Sequence, residues 1–240
     1  MLIIKLGGSV ITAKGRYRTY MHKATSGIIE QISKIKDQII IVHGGGSFGH
    51  ILAHRYGIPG NLDNRRLAGF SRIHMDMLDL NSRVCSIIDE KIGPCISMPA
   101  AVMMSDFEEK ASDFIYRNIL PVFFGDVYLD GERIGIISGD RIMSRLAAEL
   151  KPERAIFLTD VDGIYTSNPK TDRNAKLVKE LEGNVTTSIN REDVTGGMSG
   201  KIDEMRKIAR SGTEVYVING RKPERIHQIG KPSFIGTVIR

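Results

Sequence analysis

An apolar run, Ile39-Ile40-Ile41-Val42, ends in the octapeptide His43-Gly44-Gly45-Gly46-Ser47-Phe48-Gly49-His50, and the residues beyond it read as a helix. Four glycines at a strand-to-helix turn strip side chains from the place where backbone N–H groups and a helix N-terminus point outward together. Such a turn suits a phosphate. It also restricts the architecture, because a buried strand that hands over to a helix in this way belongs to a parallel sheet covered on both faces.

The rest of the chain agrees with that architecture. Leu2-Ile3-Ile4 reads as a short buried strand, and Ile28, Ile29, Ile32 and Ile35 fall at helical spacing before the strand Gln38–Val42. Leu67, Phe70, Ile73, Met77, Leu80, Val84 and Ile87 step by three or four, the mark of a long amphipathic helix. Further strands are expected at Cys95–Met98, Leu120–Phe124, Ala155–Leu158 and Glu214–Ile218, with helices near Ser112–Asn118, Asp140–Leu150 and Met198–Arg210. Asp130-Gly131, flanked by Val127-Tyr128-Leu129 and Arg133–Ile136, signals a hairpin. Ser167–Asn174 reads as a solvated excursion. The expected fold is a three-layer αβα sandwich around one continuous, mostly parallel sheet, a single domain over residues 1–240 with two functional halves.

Ligands of such sheets bind at the carboxyl ends of the strands. Three glycine turns sit there: Lys5-Leu6-Gly7-Gly8-Ser9, His43–His50 and Ser138-Gly139-Asp140. Gly44, Gly46 and Gly49 satisfy G-x-G-x-x-G, but the acidic residue of a dinucleotide site has no counterpart about 20 positions on, since Asp63 lies in the polar loop Pro59–Arg66. A Walker A loop fails as well, because His50-Ile51 stands where Lys-Ser/Thr must follow.

A net charge of +6 favours anionic ligands. The basic residues form no run, aromatics are 6% and Trp is missing, so a nucleic-acid stacking platform is not in evidence. Cys85 and Cys95 show no CxxC pattern and read as reduced thiols. No basic-then-apolar leader opens the chain and no apolar run reaches the length of a membrane span, so a cytoplasmic protein is expected.

Lys5 sits beside the first glycine turn, Lys14 follows it, and Lys201 follows Thr195–Gly200. Phosphoryl transfer asks a protein for positioning and charge neutralisation, which lysines converging with glycine N–H groups supply. Surface solvation is the ordinary fate of lysine, and Lys14 and Lys201 taken singly fit that equally well. Asp140 reads either as a first-turn carboxylate or as an anion that holds lysines in place. Leu158–Tyr165 closes a strand with Asp160 and Asp162, either as a plain turn or as a nucleotide contact. His50 can donate to a phosphate oxygen, whereas His43 at the strand end reads as structural.

Together, Lys5-x-Gly-Gly-Ser9, His43–His50, Ile137-Ser-Gly-Asp140, Leu158–Tyr165 and Asp193–Met198 resemble, in order and spacing over nearly the whole chain, the amino acid kinase superfamily. The octapeptide and the C-terminal Phe234–Arg240 are similar to the archaeal isopentenyl phosphate kinases within it. The resemblance implies an ATP-dependent kinase that phosphorylates isopentenyl phosphate to isopentenyl diphosphate. A fosfomycin kinase-like enzyme acting on another small phosphate or phosphonate, and a noncatalytic nucleotide sensor, remain the alternatives.

Carried over by position, the resemblance places Lys5, Gly7, Gly8 and Ser9 at the ATP phosphates and Lys14 at the transferring group. Gly45 and His50 meet the acceptor phosphate, Gly46 the transferred phosphoryl, and Gly139 lies beside the acceptor. Asp140 orients Lys5 and Lys201; Asp160, Asp162, Tyr165, Gly197 and Lys201 fall on the nucleotide side, with Mg²⁺ bridging phosphates rather than held by protein ligands. It further implies a homodimer with the long helix at its interface. The inward face of that helix (Phe70, Ile73, Met77) is a candidate lining for the isopentenyl tail. Ala13 stands where the family commonly has an acid, and Arg141 is placed to pair with Asp140.

Overall fold

The computed structural model describes residues 1–101, 106–182 and 198–240. The elements run β1 (Leu2–Leu6), α1 (Gly8–Ile11), α2 (His22–Ile32), β2 (Ile39–His43), α3 (Gly46–Tyr56), β3 (Gly60–Asn61), α4 (Asn64–Lys91), β4 (Cys95–Met98) and α5 (Phe107–Tyr116). They continue with β5 (Leu120–Phe124), β6 (Asp126–Asp130), β7 (Arg133–Ile137), α6 (Gly139–Leu150), β8 (Arg154–Thr159), β9 (Glu180–Leu181), α7 (Met198–Arg210), β10 (Glu214–Asn219) and β11 (Thr237–Ile239), with a 3-10 turn at Pro223–Gln228.

The main sheet has eight strands in the order β4-β5-β2-β1-β8-β10-β11-β9. β4 through β10 in that order are mutually parallel, and β11 runs against β10. Neighbouring residues along each central strand go to opposite layers. Leu2, Ile4 and Leu6 join one buried cluster with Ile41, Ile156 and Ile218, while Ile3 joins the other with Ile40, Val42, Phe157 and Val217. That two-sided burial is why these strands read as unbroken apolar runs rather than alternating ones. The first cluster includes residues of α1 to α4 (Val10, Ile29, Phe48, Leu80), the second residues of α5 to α7 (Ala111, Met143, Met205). The result is the expected αβα sandwich.

Three expectations need correction. The hairpin does not extend the main sheet: β6 and β7 form a separate three-stranded antiparallel sheet with β3. The chain leaves the main sheet at Gly125, whose N–H still donates to the His43 carbonyl (3.2 Å), and its direction changes there. α5 begins at Phe107, well before Ser112, with Glu108 and Glu109 in its first turn, where carboxylates favour the helix N-terminus. It stops before Asn118, which adopts a left-handed φ of 58°. Ile35 lies past the end of α2, yet it packs against the first cluster, so its apolar spacing reported burial rather than helix.

α4 reaches further at both ends than its apolar stripe. Asp63 caps it by accepting the Arg66 N–H (2.7 Å). Leu67 is exposed, and the buried stripe begins further along, at Gly69 and Ile73. No helix among the described residues is long and apolar enough to cross a membrane.

Candidate active site at the strand carboxyl ends

The central parallel strands all terminate on one edge, and a glycine steps off β1, β2, β5 and β10. Gly7 N–H donates to Leu158 O (2.9 Å), Gly44 N–H to Leu6 O (3.0 Å), and Gly220 N–H to Thr159 O (2.7 Å). This floor brings segments far apart in sequence within bonding distance and leaves no room for side chains above the sheet.

On it the first two glycine turns interlock. A methyl group on Gly8 would approach the Gly46 Cα to 2.6 Å, and one on Gly46 would approach the Gly8 carbonyl to 2.7 Å, both closer than real side-chain carbons come. Gly46 also has a positive φ of 48°. Thr12 completes the joint: its hydroxyl donates to Gly8 O (2.7 Å) and accepts the Ser47 N–H (2.9 Å). The Met77 thioether of α4 packs behind the same turn, within 3.0 Å of where a Gly45 methyl would sit. Two helix N-termini, those of α1 and α3, therefore open side by side. Each offers N–H groups without intrahelical partners.

Lys5, next to last in β1, lies beneath these turns, almost fully buried. Its Nζ lies 2.5 Å from Asp140 Oδ1 and 5.8 Å from the Phe157 ring centre. Burial pulls the ammonium's pKa below its ordinary value; Asp140 pulls it back up and Lys201 pushes it down again. Asp140 opens α6, whose cap is Ser138, with Oγ accepting the Arg141 N–H (3.2 Å). Gly139 is held close to Lys5, since a methyl there would lie 3.0 Å from Lys5 Cε.

His50 stands in the first turns of α3 with an exposed edge. Desolvation by its surroundings, then the positive charges of Lys201 and Lys5, hold its imidazole below the usual histidine value, with Asp140 opposing. An imidazole, two ammonium groups and one carboxylate thus share one field at the mouth of a backbone cradle. An arrangement of that kind accepts anions, and more than one at a time, because neighbouring cations offset the repulsion between them.

The amino acid kinase family model matches residues 1–219. Over the full length of both chains the sequence is 44% identical to the isopentenyl phosphate kinase of Thermoplasma acidophilum. The chain belongs to the isopentenyl phosphate kinases of the amino acid kinase family. Another such kinase, from Methanothermobacter thermautotrophicus, is 34% identical over 95% of this chain and 94% of its own. The crystal structure of the T. acidophilum kinase in its product complex superposes with a TM-score of 0.91 over the whole of both chains, at 42% identity.

Within this kinase family member, the structure gathers Lys5, Gly7, Gly8, Gly45, Gly46, His50, Gly139, Asp140 and Lys201 around one opening. Ser9 joins them from the next turn, its hydroxyl donating to Asp160 Oδ1 (3.1 Å). Lys14 stands apart at the tip of an exposed loop, residues 13–19, closed by the Thr12–Tyr20 bridge. Asp162 turns to the protein: its Oδ1 accepts from Arg225 Nη1 (2.6 Å) and Asn219 Nδ2 (2.8 Å). Those bonds draw its pKa down against the upward push of burial. Tyr165 is partly buried and bridges to Leu177. Gly197 lies outside the described residues.

Asp140 pairs with Lys5, while the Arg141 side chain is exposed, so the anticipated competition from Arg141 is not what the fold selects. Ile73 and Met77 are plain core, and Phe70 packs against that core. His43 is structural, as read: it is fully buried, stacks on Phe124 (5.6 Å) and meets Asn81 Nδ2 through Nε2 (3.1 Å). Burial lowers its pKa to about 4.

Sequence reasoning missed Lys170, whose ammonium contacts Asp160 and draws that carboxyl's pKa down against burial. It also missed Thr12, Asn81 and the pair His74–Asp126 (2.5 Å), in which Asp126 is buried at the start of β6. None of these carries a local signal: Thr12, Asn81 and His74 meet Ser47, His43 and Asp126 across 35 to 52 positions, and Lys170 reaches Asp160 across a polar loop of 10. The described residues hold no group of three His, Cys, Asp or Glu side chains suited to a metal.

Proposed function

We propose that this chain transfers the γ-phosphoryl group of ATP to a phosphate oxygen of isopentenyl phosphate, giving isopentenyl diphosphate and ADP. What carries the reading is the position of His50, in the first turns of α3 and in the joint field of Lys5 and Lys201, on a chain that matches isopentenyl phosphate kinases end to end.

The acceptor phosphate is ionised at neutral pH, so its oxygen attacks phosphorus without a base; the bond to the ADP oxygen breaks as the new one forms. Gly45 and His50 hold the acceptor, with Gly139 beside it. Gly7, Gly8, Ser9 and Gly46 hold the donor phosphates through backbone N–H groups and one hydroxyl. Lys5 neutralises charge between them, kept in place by Asp140, and Lys201 adds a second cation. Lys14 stabilises the transferring group. Asp160, Asp162, Tyr165 and Gly197 belong to the nucleotide half of one domain spanning 1–240, opposite the acceptor half.

Asp140 and Asp160 are each already paired with a lysine, a donor set that fits Mg²⁺ carried in on the ATP phosphates rather than caged by side chains. When bound, the ion supplies further neutralisation of the phosphate oxygens. The same reading takes the working unit as a cytoplasmic homodimer paired along α4, which sedimentation of the purified protein tests.

The deciding measurement is ADP release from Mg·ATP in parallel with isopentenyl phosphate, fosfomycin, acetylglutamate and UMP. Turnover with isopentenyl phosphate well above the other three is expected. Silence in that reaction overturns the proposal, and strong turnover with fosfomycin alone reassigns the acceptor.

A further inference from the structure

The loop that carries Lys14 is fastened to α4 by charges that the site itself does not use. Asp76 stands on α4 with only 4% of its surface exposed, the one carboxylate among the buried residues of that helix. Tyr17 Oη donates to its Oδ2 (2.6 Å), and Arg18 Nη1 lies 3.4 Å from its Oδ1. Arg18 Nη2 reaches Asp79 Oδ2 (2.7 Å), one turn further along α4, and Arg83 braces Asp79 from the next turn (3.1 Å). The Arg18 guanidinium also lies 5.9 Å from the Phe48 ring, and its backbone N–H points to Ser47 O (3.5 Å), both on the first turn of α3.

Arg18 adopts a φ of 51°, a left-handed conformation that a residue with a side chain keeps only where its surroundings over-determine it. A buried carboxylate likewise persists only when paired. Each is the other's reason. The contacts run from the loop to α3 and α4 together, so they set where the loop sits above the glycine cradle.

Resting on the reading of Lys14 given above, we propose that Asp76 is a positioning residue for phosphoryl transfer: through Tyr17 and Arg18 it fixes loop 13–19 and so places the Lys14 ammonium. Lys14 itself is exposed at the loop tip, so its place depends on the loop's anchoring. The requirement is for alignment at the moment of transfer rather than for affinity.

Two variants test this, Asp76→Asn and the exposed Arg18→Ala, the second keeping the test alive if the first folds poorly. Each should lower kcat about tenfold or more, with KM for ATP and for isopentenyl phosphate held within about twofold. In a Lys14→Ala background neither should slow the enzyme further, because the loss has already been taken. Trypsin should cleave Asp76→Asn faster than the parent after Lys14, Arg16 or Arg18, a readout that needs no substrate. Losses that multiply with Lys14→Ala, a change in KM alone, or unaltered digestion overturn the proposal. Should the parent fail to use isopentenyl phosphate, the digestion still decides whether Asp76 holds the loop, separating that failure from this one.

Discussion

The glycine floor and the Asp160–Asp162 segment beside it are built in different ways. In the floor, backbone meets backbone: Gly8 against Gly46, Gly44 against Leu6, with Thr12 and buried His43 locking the joint. Along the Asp160–Asp162 segment, side chains meet side chains: the half-exposed Lys170 with Asp160, and the buried Arg225 and Asn219 with Asp162. Backbone contacts of this closeness have no slack, whereas an ion pair near solvent, such as Lys170–Asp160, tolerates rearrangement and contributes little by itself. The floor is therefore pre-organised, and the Lys170–Asp160 pair is adjustable.

Substitutions that exploit this difference should have graded effects. Gly8→Ala should be the most damaging, since its methyl group displaces the Gly46 backbone and misaligns both subsites at once. Loss of more than about 10²-fold in kcat/KM, with a lowered Tm, is expected; parent-like kinetics would show that the interlock has slack after all. His50→Ala removes one electrostatic contact without moving backbone and should cost about 10²-fold in kcat/KM for the acceptor. An unchanged acceptor parameter would remove His50 from the site.

His43 sharpens the contrast through pH. Its pKa falls from 6.5 unfolded to about 4 folded, so the unfolded chain binds the extra proton between those values. Its contribution to stability is full above pH 6.5 and is lost as pH falls toward 4, about 2 kcal/mol of it by pH 5. Denaturant midpoints of His43→Gln, measured from pH 7 to 4.5, should show a flatter acid limb than the parent; parallel limbs would mean that His43 is not the group responsible. Lys170→Ala should be mildest, a few-fold rise in KM for ATP with kcat retained, in keeping with an exposed pair. A collapse of kcat would place Lys170 with the pre-organised half.

What was legible in the sequence follows the same division. Continuous apolar strands and glycine turns are local signals, and they located β4, β5 and α7 to the residue and the interlocked turns to the motif. Asp140 was legible through its turn, and its partner Lys5 through another. Lys170 and Asp76 were not legible, because a lysine in a polar stretch and an aspartate on a helix look solvated until the fold supplies Asp160 and Arg18. The departure of the hairpin from the main sheet was equally hidden, since a hairpin signal sets the pairing of two strands and says nothing about which sheet they join. The beginning of α5 was hidden because its first turn carries the carboxylates Glu108 and Glu109, to which apolar periodicity is blind.

The strand order has a consequence for biosynthesis. β1 is made first, and of its two neighbours one, β8, begins only at Arg154, while the Lys5–Asp140 pair spans 135 positions. At ordinary translation rates the ribosome needs roughly ten seconds or more to reach that partner. Throughout that interval a strand that is apolar but for Lys5 has one edge unpaired, an invitation to association with other chains. The centre of the molecule is thus among the last parts to close, and a truncated nascent chain carries the cradle's glycines without the carboxylate that holds its lysine.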